Sequence, residues 1–193
     1  MEKFKNRYRI PSARAPWWDY SWCGRYFITI CTAQYECIFG NIRDGQMQPS
    51  PMGEIVLLEW EQSFQIRAEL FCDAFVLLPN HLHAIVRIEN PDQTTIETHG
   101  RASLRTPEQT PAPTNRGIAH RSPRSISSFV AGFKSSATKR INEFRNTPKI
   151  PVWQSHFHDH IIRNADEYHR ITNYIRTNPE NWKKDKFFKQ EIL

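Results

Sequence analysis

No stretch of the 193-residue chain stays hydrophobic over the roughly 18 residues that a membrane-spanning helix needs. The first ten residues are charged, unlike the hydrophobic segment of a secretory signal peptide. Only 39% of the residues are hydrophobic, but 12 Phe, 6 Trp and 6 Tyr can build a core. We therefore expect a folded, soluble, cytoplasmic protein with no membrane partner.

Cysteine pairs of the CxxC type are absent, and so is the P-loop of a helicase. We therefore expect the cysteines to be reduced and mostly buried thiols, rather than disulfides or zinc ligands. The four are Cys23, Cys31, Cys37 and Cys72.

Acidic residues are scarce outside one part of the chain, whose formal net charge is +6. Residues 1–25 hold six Lys and Arg against two acidic residues, and residues 91–145 hold nine against four. Residues 26–90 reverse the balance, with three against eight. This separation suits a protein that lays a polyanion such as nucleic acid across part of its surface. Many unrelated proteins are equally basic, so charge alone does not identify the partner.

Hydrophobic spacing divides the chain into strands and helices. It predicts strands in "RYFITICTA", "LFCDAFVLLP", "HAIVRIE" and "IPVWQSHFHDHIIR", and a hairpin turn at Asp44-Gly45. Helices are predicted over 52–64, 125–144 and 166–177. The order strand, helix, two strands, helix, strand, helix predicts an α+β protein. Its simplest architecture is a ferredoxin-like (RRM-like) antiparallel sheet backed by helices.

The length predicts a single domain, 1–193, with two additions. Residues 1–25 form a basic, aromatic arm that we expect to be extended. Residues 90–124 contain several prolines and almost no large apolar side chains. We expect this segment to be a flexible insertion.

Two histidines, His81 and His83, begin the strand-like run "HLHAIVRI". Side chains at i and i+2 of a strand point to the same face, so both imidazoles can reach one metal ion. Polar residues at a strand entrance have the same pattern, and spacing alone does not separate the two interpretations.

A second set, His156, His158 and His160, also alternates. In a strand all three would share a face. They are open to several interpretations: a second metal site, a solvated face, a phosphate-contacting row, or one further ligand for the first site.

Tyr174 and Asn178 are four residues apart on the last predicted helix and therefore share a face. Tyr168, Ile171 and Ile175 form the predicted core stripe beside them. A phenol next to an amide ligand is a plausible reactive pair. A half-buried aromatic and a C-terminal cap before proline would give the same pattern.

In combination, these segments resemble the tyrosine transposases of the insertion-sequence-200 type, the Y1 class. These carry an HUH motif of histidine, hydrophobic residue and histidine. The resemblance is closest to the branch associated with repetitive extragenic palindromes, and it spans nearly all of the chain except the insertion. It lies in "DYSWCGRYFITICTAQYECIFG", "FVLLPNHLHAIV", "FVAGFKSSATKRIN" and "VWQSHFHDHIIRNADEYHRITNYIRTNPENW".

The resemblance implies the HUH endonuclease fold and cleavage of single-stranded DNA near hairpins through a 5′-phosphotyrosine. It implies Tyr174 as nucleophile and His81 and His83 as ligands of a divalent ion, Mg²⁺ or Mn²⁺. Asn178 stands where related members place a third, amide ligand, commonly Gln. The resemblance also implies a nucleoid-associated protein that is a monomer or a homodimer.

Phosphate contacts are expected from basic side chains of the arm and of the helix over 125–144, and base stacking from a tryptophan of the arm. These candidate DNA-binding residues are Arg14, Trp17, Lys134, Lys139 and Arg140. Three other functions remain open: a domesticated hairpin-binding protein that rarely cuts, a replication or conjugation initiator, and a sheet-based RNA binder. The initiator is disfavoured by the missing P-loop, and the RNA binder would not need the histidine pair together with Tyr174.

Overall fold

The computed structural model describes residues 18–89 and 123–188, and the backbone of two short strands in the arm. The strands are β1 (Lys3–Phe4), β2 (Arg7–Tyr8), β3 (Gly24–Cys31), β4 (Gly40–Arg43), β5 (Gln46–Pro49), β6 (Leu70–Leu78), β7 (His81–Ile88) and β8 (His158–Ile162). The helices are α1 (Pro51–Ile66), α2 (Ile126–Phe144) and α3 (Ala165–Thr177). Short 3₁₀ turns span Ala33–Tyr35 and Trp182–Lys184.

The main sheet has four antiparallel strands in the order β6-β7-β3-β8. With α1 between β3 and β6 and α2 between β7 and β8, this is the strand order of the ferredoxin-like fold. The predicted α+β class and antiparallel sheet backed by helices are confirmed. The predicted hairpin is also present: Asp44 and Gly45, both at positive φ, join β4 to β5.

Helices α1 and α2 cover one face of the sheet and form the larger core with it. Each begins at a serine, Ser50 or Ser125, whose hydroxyl accepts a hydrogen bond from the backbone three residues on. The buried stripe of α2 is the one that the sequence spacing predicts: Ile126, Phe129, Val130, Phe133, Ala137 and Ile141.

Helix α3 lies on the opposite face of the sheet, which the order of elements does not specify. Its predicted stripe packs in a separate, smaller cluster around Ile85 of β7. Ile85 is two residues beyond His83 and therefore on the same face of β7. The docking of α3 thus brings its C-terminal end to the histidine pair. The stripe residues in this cluster are Tyr168, Ile171 and Ile175.

The last strand is shorter than expected. It starts at His158, so His156 is not part of it and the predicted row of three histidines is broken. Lys134 explains the late start, because its ammonium group binds the backbone carbonyls of Gln154 (2.9 Å) and His156 (3.0 Å).

The cysteines are free, as expected, but the expectation that most are buried is wrong. Cys31 is buried and Cys37 is half-buried, whereas Cys23 and Cys72 are exposed. Cys23 precedes β3, and Cys72 lies on β6, an edge strand with a bulge at this point.

Two predicted segments lie largely outside the described residues. In the arm over 1–25, the structure describes the antiparallel pairing of β1 with β2 and the residues from Trp18 onward. Of the insertion over 90–124, the structure describes only residues 123 and 124. Within the described part of the chain, no helix has the length and hydrophobicity to span a bilayer.

Candidate metal centre

His81 and His83 point from β7 to the face that carries α3, while Leu82 points into the larger core. Both imidazoles are almost fully removed from solvent, at 0% and 1% exposure. Their Nε2 atoms are 3.1 Å apart. The spacing argument of the sequence is therefore correct: the two rings converge on one point.

Asn80 fixes the orientation and tautomer of His81. Its buried amide nitrogen donates to the backbone carbonyls of Tyr35 (3.1 Å) and Phe187 (2.8 Å). Its Oδ1 therefore faces Nδ1 of His81 at 2.8 Å and accepts that proton. Nε2 of His81 is left with a lone pair that points into the centre. His83 is held in a similar way, with Nδ1 2.8 Å from the hydroxyl of Thr29.

Both histidines are neutral at physiological pH. Burial, and then the nearby charge of Lys186, lowers the pKa of His81 to about 3. Burial, followed by the charge of His81, lowers the pKa of His83 well below its usual value. Neutral imidazole is the form that binds metals, and the Nε2 lone pair of His81 faces Nε2 of His83.

Tyr174 joins this pair from α3. Its hydroxyl lies 3.1 Å from Nε2 of His83 and 3.3 Å from Oδ2 of Asp185. Burial, and then the charge of Asp185, raises the pKa of the phenol to about 12. The residue is nevertheless 40% exposed.

Asn178 follows the last residue of α3, one turn beyond Tyr174, and is 2% exposed. Its amide nitrogen donates to Oδ2 of Asp185 at 3.3 Å. Its Oδ1 is buried without a hydrogen-bond partner. An unsatisfied buried oxygen is costly, and a bound cation would satisfy it.

Asp185 is the residue that the sequence analysis missed. It lies in the segment beyond α3, after the 3₁₀ turn Trp182–Lys184. Ligand atoms of His81, His83 and Asp185 all lie within 4.8 Å of one another. The only local signal is one acid among basic and aromatic residues in "WKKDKFF", and neither helical nor strand periodicity predicts where it would lie.

The cluster of His81, His83 and Asp185 could hold a divalent ion. Two imidazole nitrogens with a carboxylate oxygen form a mixed nitrogen and oxygen set, which first-row divalent metals accept.

The second histidine set does not converge. His158 and His160 share the α3 face of β8, but His160 bonds Glu167 at 2.7 Å. Glu167 also accepts from the backbone of Arg163, just before α3. Within residues 18–89 and 123–188, the one group of three His, Cys, Asp or Glu side chains close enough to hold a metal ion is His81, His83 and Asp185. Neither His158 nor His160 belongs to it.

The three predicted DNA-binding residues that the structure describes are not part of the metal centre. Lys139 and Arg140 lie on α2, across the sheet from α3; Lys139 is exposed and Arg140 pairs with the buried Glu59 of α1. Lys134 holds the loop before β8, as described above. Arg14 and Trp17 fall outside the described residues. Contact of all five with DNA stays a prediction.

No family model matches the chain. An uncharacterized protein of Haemophilus influenzae is 32% identical over 177 residues, which are 92% of each chain. A structure of a REP-associated tyrosine transposase bound to a REP hairpin superposes with a TM-score of 0.54. At 18% identity it covers 98% of this chain and 78% of that one, and it establishes a common fold. A transposase candidate from Deinococcus radiodurans R1 reaches a TM-score of 0.40, at 12% identity over 86% of this chain and 96% of that one.

Proposed function

This chain belongs to the same protein family as the Haemophilus influenzae protein, and we propose that it is a metal-dependent transposase of the Y1 class. It cleaves and rejoins single-stranded DNA near hairpins. Tyr174 is the nucleophile, and His81, His83, Asn178 and Asp185 hold the ion. One observation carries the proposal: the Tyr174 hydroxyl lies 3.1 Å from His83 Nε2, where the ligand atoms of His81, His83 and Asp185 converge. The fold shared with a hairpin-bound tyrosine transposase supports it.

The side chains of the centre have separate tasks. His81 and His83 stay neutral because they are buried, and Asn80 and Thr29 hold their rings. A bound Mg²⁺ or Mn²⁺ ion would supply a Lewis acid that holds the scissile phosphate and stabilises transition-state charge. Tyr174 stands on a helix, which fixes its approach to the phosphorus.

In the proposed step, the Tyr174 oxygen bonds to phosphorus while the bond from phosphorus to the 3′ oxygen breaks. The phenol loses one proton and the departing 3′ oxygen gains one. The proton of the phenol passes to water, and water supplies the proton that the 3′ oxygen gains, so Asp185, whose Oδ2 is 3.3 Å from the hydroxyl, remains available to hold the ion. The product is a 5′-phosphotyrosine and a free 3′-OH. The phosphodiester energy is retained, so another 3′-OH can reverse the step without ATP.

A covalent-trapping assay tests the proposal. The protein is incubated with pooled single-stranded hairpin oligonucleotides and Mn²⁺ or Mg²⁺, and the adduct is resolved on a denaturing gel. We expect an adduct with the wild type and none with Tyr174→Phe, with His81→Ala, or after chelation. Tyr168→Phe is the matched control, because Tyr168 lies on the same helix but packs beside Arg25 instead of the metal centre.

An adduct that persists in Tyr174→Phe would move the nucleophile elsewhere, with Tyr168 tested next. Hairpin binding without any adduct, on the native DNA flanking the gene as well, would favour the alternative of a domesticated hairpin-binding protein. Absence of both binding and adduct would refute the proposal.

A further inference from the structure

The turn before β3 presents an aromatic ring to solvent. Trp22 is 51% exposed, although a tryptophan usually buries most of its surface. Trp18 meets it edge to face, with ring centroids 5.2 Å apart. Trp22 is therefore supported on one side and open to a ligand on the other.

The backbone of this turn is held firmly. The amide of Trp22 donates to the carbonyl of Asp19 (3.0 Å), and its carbonyl accepts from the hydroxyl of Tyr26 (2.8 Å). Tyr26 is fully buried in the larger core and also accepts from the indole of Trp18 (3.1 Å). Ser21 donates twice to the carboxylate of Asp19. Hence the exposed ring has a fixed position, which reduces the entropy lost when a ligand stacks on it.

The sequence that leads into the turn is strongly basic. Residues 1–17 contain five Lys and Arg and one acidic residue. A basic sequence next to an aromatic residue in the chain is a combination by which proteins bind single-stranded nucleic acid, because cations follow the phosphates and bases stack on the ring. A docking surface for another protein would not need this charge.

We propose that Trp22 is a stacking platform for an unpaired base of the DNA substrate, an inference that rests on the proposed function. The platform lies at the far end of β3 from the metal centre, because Gly24 pairs with Ile88 whereas Thr29 pairs with His83. The five residue steps from Gly24 to Thr29 span about 17 Å. Trp22 therefore binds a base distant from the scissile phosphate and raises affinity without taking part in the cleavage step.

Binding of a fluorescent stem-loop oligonucleotide with single-stranded flanks tests the platform in a Tyr174→Phe background, where no cleavage can occur. We expect Trp22→Ala and Trp22→Leu to weaken binding about tenfold, and Trp22→Phe to weaken it less than about threefold. Leucine keeps the hydrophobicity but has no π-face, so it separates stacking from burial. Phe144→Ala is the control, because Phe144 is 58% exposed at the end of α2 and should not affect binding.

If the Trp22→Ala and Trp22→Leu variants bind the oligonucleotide as tightly as the parent protein, Trp22 is not a stacking platform. That result would leave the proposed cleavage activity unaffected. A thermal melt of each variant separates loss of stacking from loss of folding, and the Trp22→Phe result keeps the test valid if alanine unfolds the turn.

Photocrosslinking locates the base directly. A series of the same oligonucleotides, each with one 5-iodouracil, is irradiated with the protein and digested with trypsin. We expect one flanking position to crosslink within peptide 15–25, with Trp22 as the modified residue. Crosslinks confined to other peptides would overturn the assignment of Trp22.

Discussion

The hydroxyl of Tyr174 lies 3.1 Å from Nε2 of His83, although 91 residues separate them in the chain. The contact depends on the packing of α3 against the sheet. Ile171 and Ile175, on either side of Tyr174, pack on Ile85, which is two residues beyond His83 on the same face. A small hydrophobic cluster therefore sets the distance between the proposed nucleophile and the metal centre.

Asn178 provides a direct test of the ligand set. We expect Asn178→Ala to weaken Mn²⁺ binding about tenfold, because it removes a buried oxygen that has no other partner. Asn178→Asp should bind Mn²⁺ at least as tightly as the wild type, since it keeps an oxygen and adds charge. Isothermal titration with Mn²⁺ measures both.

Asn181→Ala is the matched control for that titration, because this exposed amide only donates to the carbonyl of Thr177. Unchanged affinity in Asn178→Ala would exclude Asn178 as a ligand. A loss of equal size in Asn181→Ala would point to general disturbance of the helix end.

Asn80 should affect stability and metal binding together. Asn80→Ala leaves two backbone carbonyls and Nδ1–H of His81 without their partner, so we expect a loss of about 2–3 kcal/mol in the free energy of unfolding. Mn²⁺ affinity should fall about tenfold because the tautomer of His81 is no longer fixed. Chemical denaturation with chelator and titration with Mn²⁺ measure the two effects. Wild-type Mn²⁺ affinity in this variant would show that Asn80 does not orient the ligand.

Stability without metal should rise with pH between about 3 and 6.5. Below the ordinary histidine pKa the unfolded chain binds protons at His81 and His83, whereas the folded chain does not, because both pKa values are lowered by burial. Stability is therefore full above this range and is lost on acidification. Each histidine contributes at most about 1.4 kcal/mol per pH unit.

Urea denaturation at several pH values, with chelator present, measures that slope. His81→Gln should flatten it, because glutamine does not titrate. His169→Gln is the control, since His169 is exposed on α3. An unchanged slope in His81→Gln would contradict the lowered pKa of His81.

Substitutions of Arg140 and Lys139 distinguish a residue that stabilises the fold from one that is predicted only to contact DNA. Arg140→Ala leaves the 4% exposed Glu59 without its ion pair, so we expect a loss of about 1–3 kcal/mol in unfolding free energy. Lys139→Ala should leave stability unchanged, because its side chain is 77% exposed and its contact with Glu143 is long, at 3.9 Å. Thermal melts and hairpin binding of both variants provide the comparison. Equal stability of the two would contradict the structural role of Arg140.

Local sequence determined much of this protein. The spacing of apolar residues predicted the buried stripe of α2 and the core stripe of α3, because a helix repeats its faces whatever it packs against. The alternation of β7 put His81 and His83 on one face for the same reason. Asp44-Gly45 predicted a hairpin, since the tight turn needs positive φ at both positions.

Only the tertiary structure decided how these parts meet. Periodicity shows that α3 has an apolar stripe but not which sheet face it covers, and that choice brought Tyr174 to His83. The predicted row of three histidines is broken because Lys134 binds the backbone carbonyls of Gln154 and His156. A longer strand would have used these carbonyls for hydrogen bonds to its neighbour. Asp185 reached the centre from an irregular segment, where the position of a side chain is set by contacts distant in sequence and by no repeat along the chain.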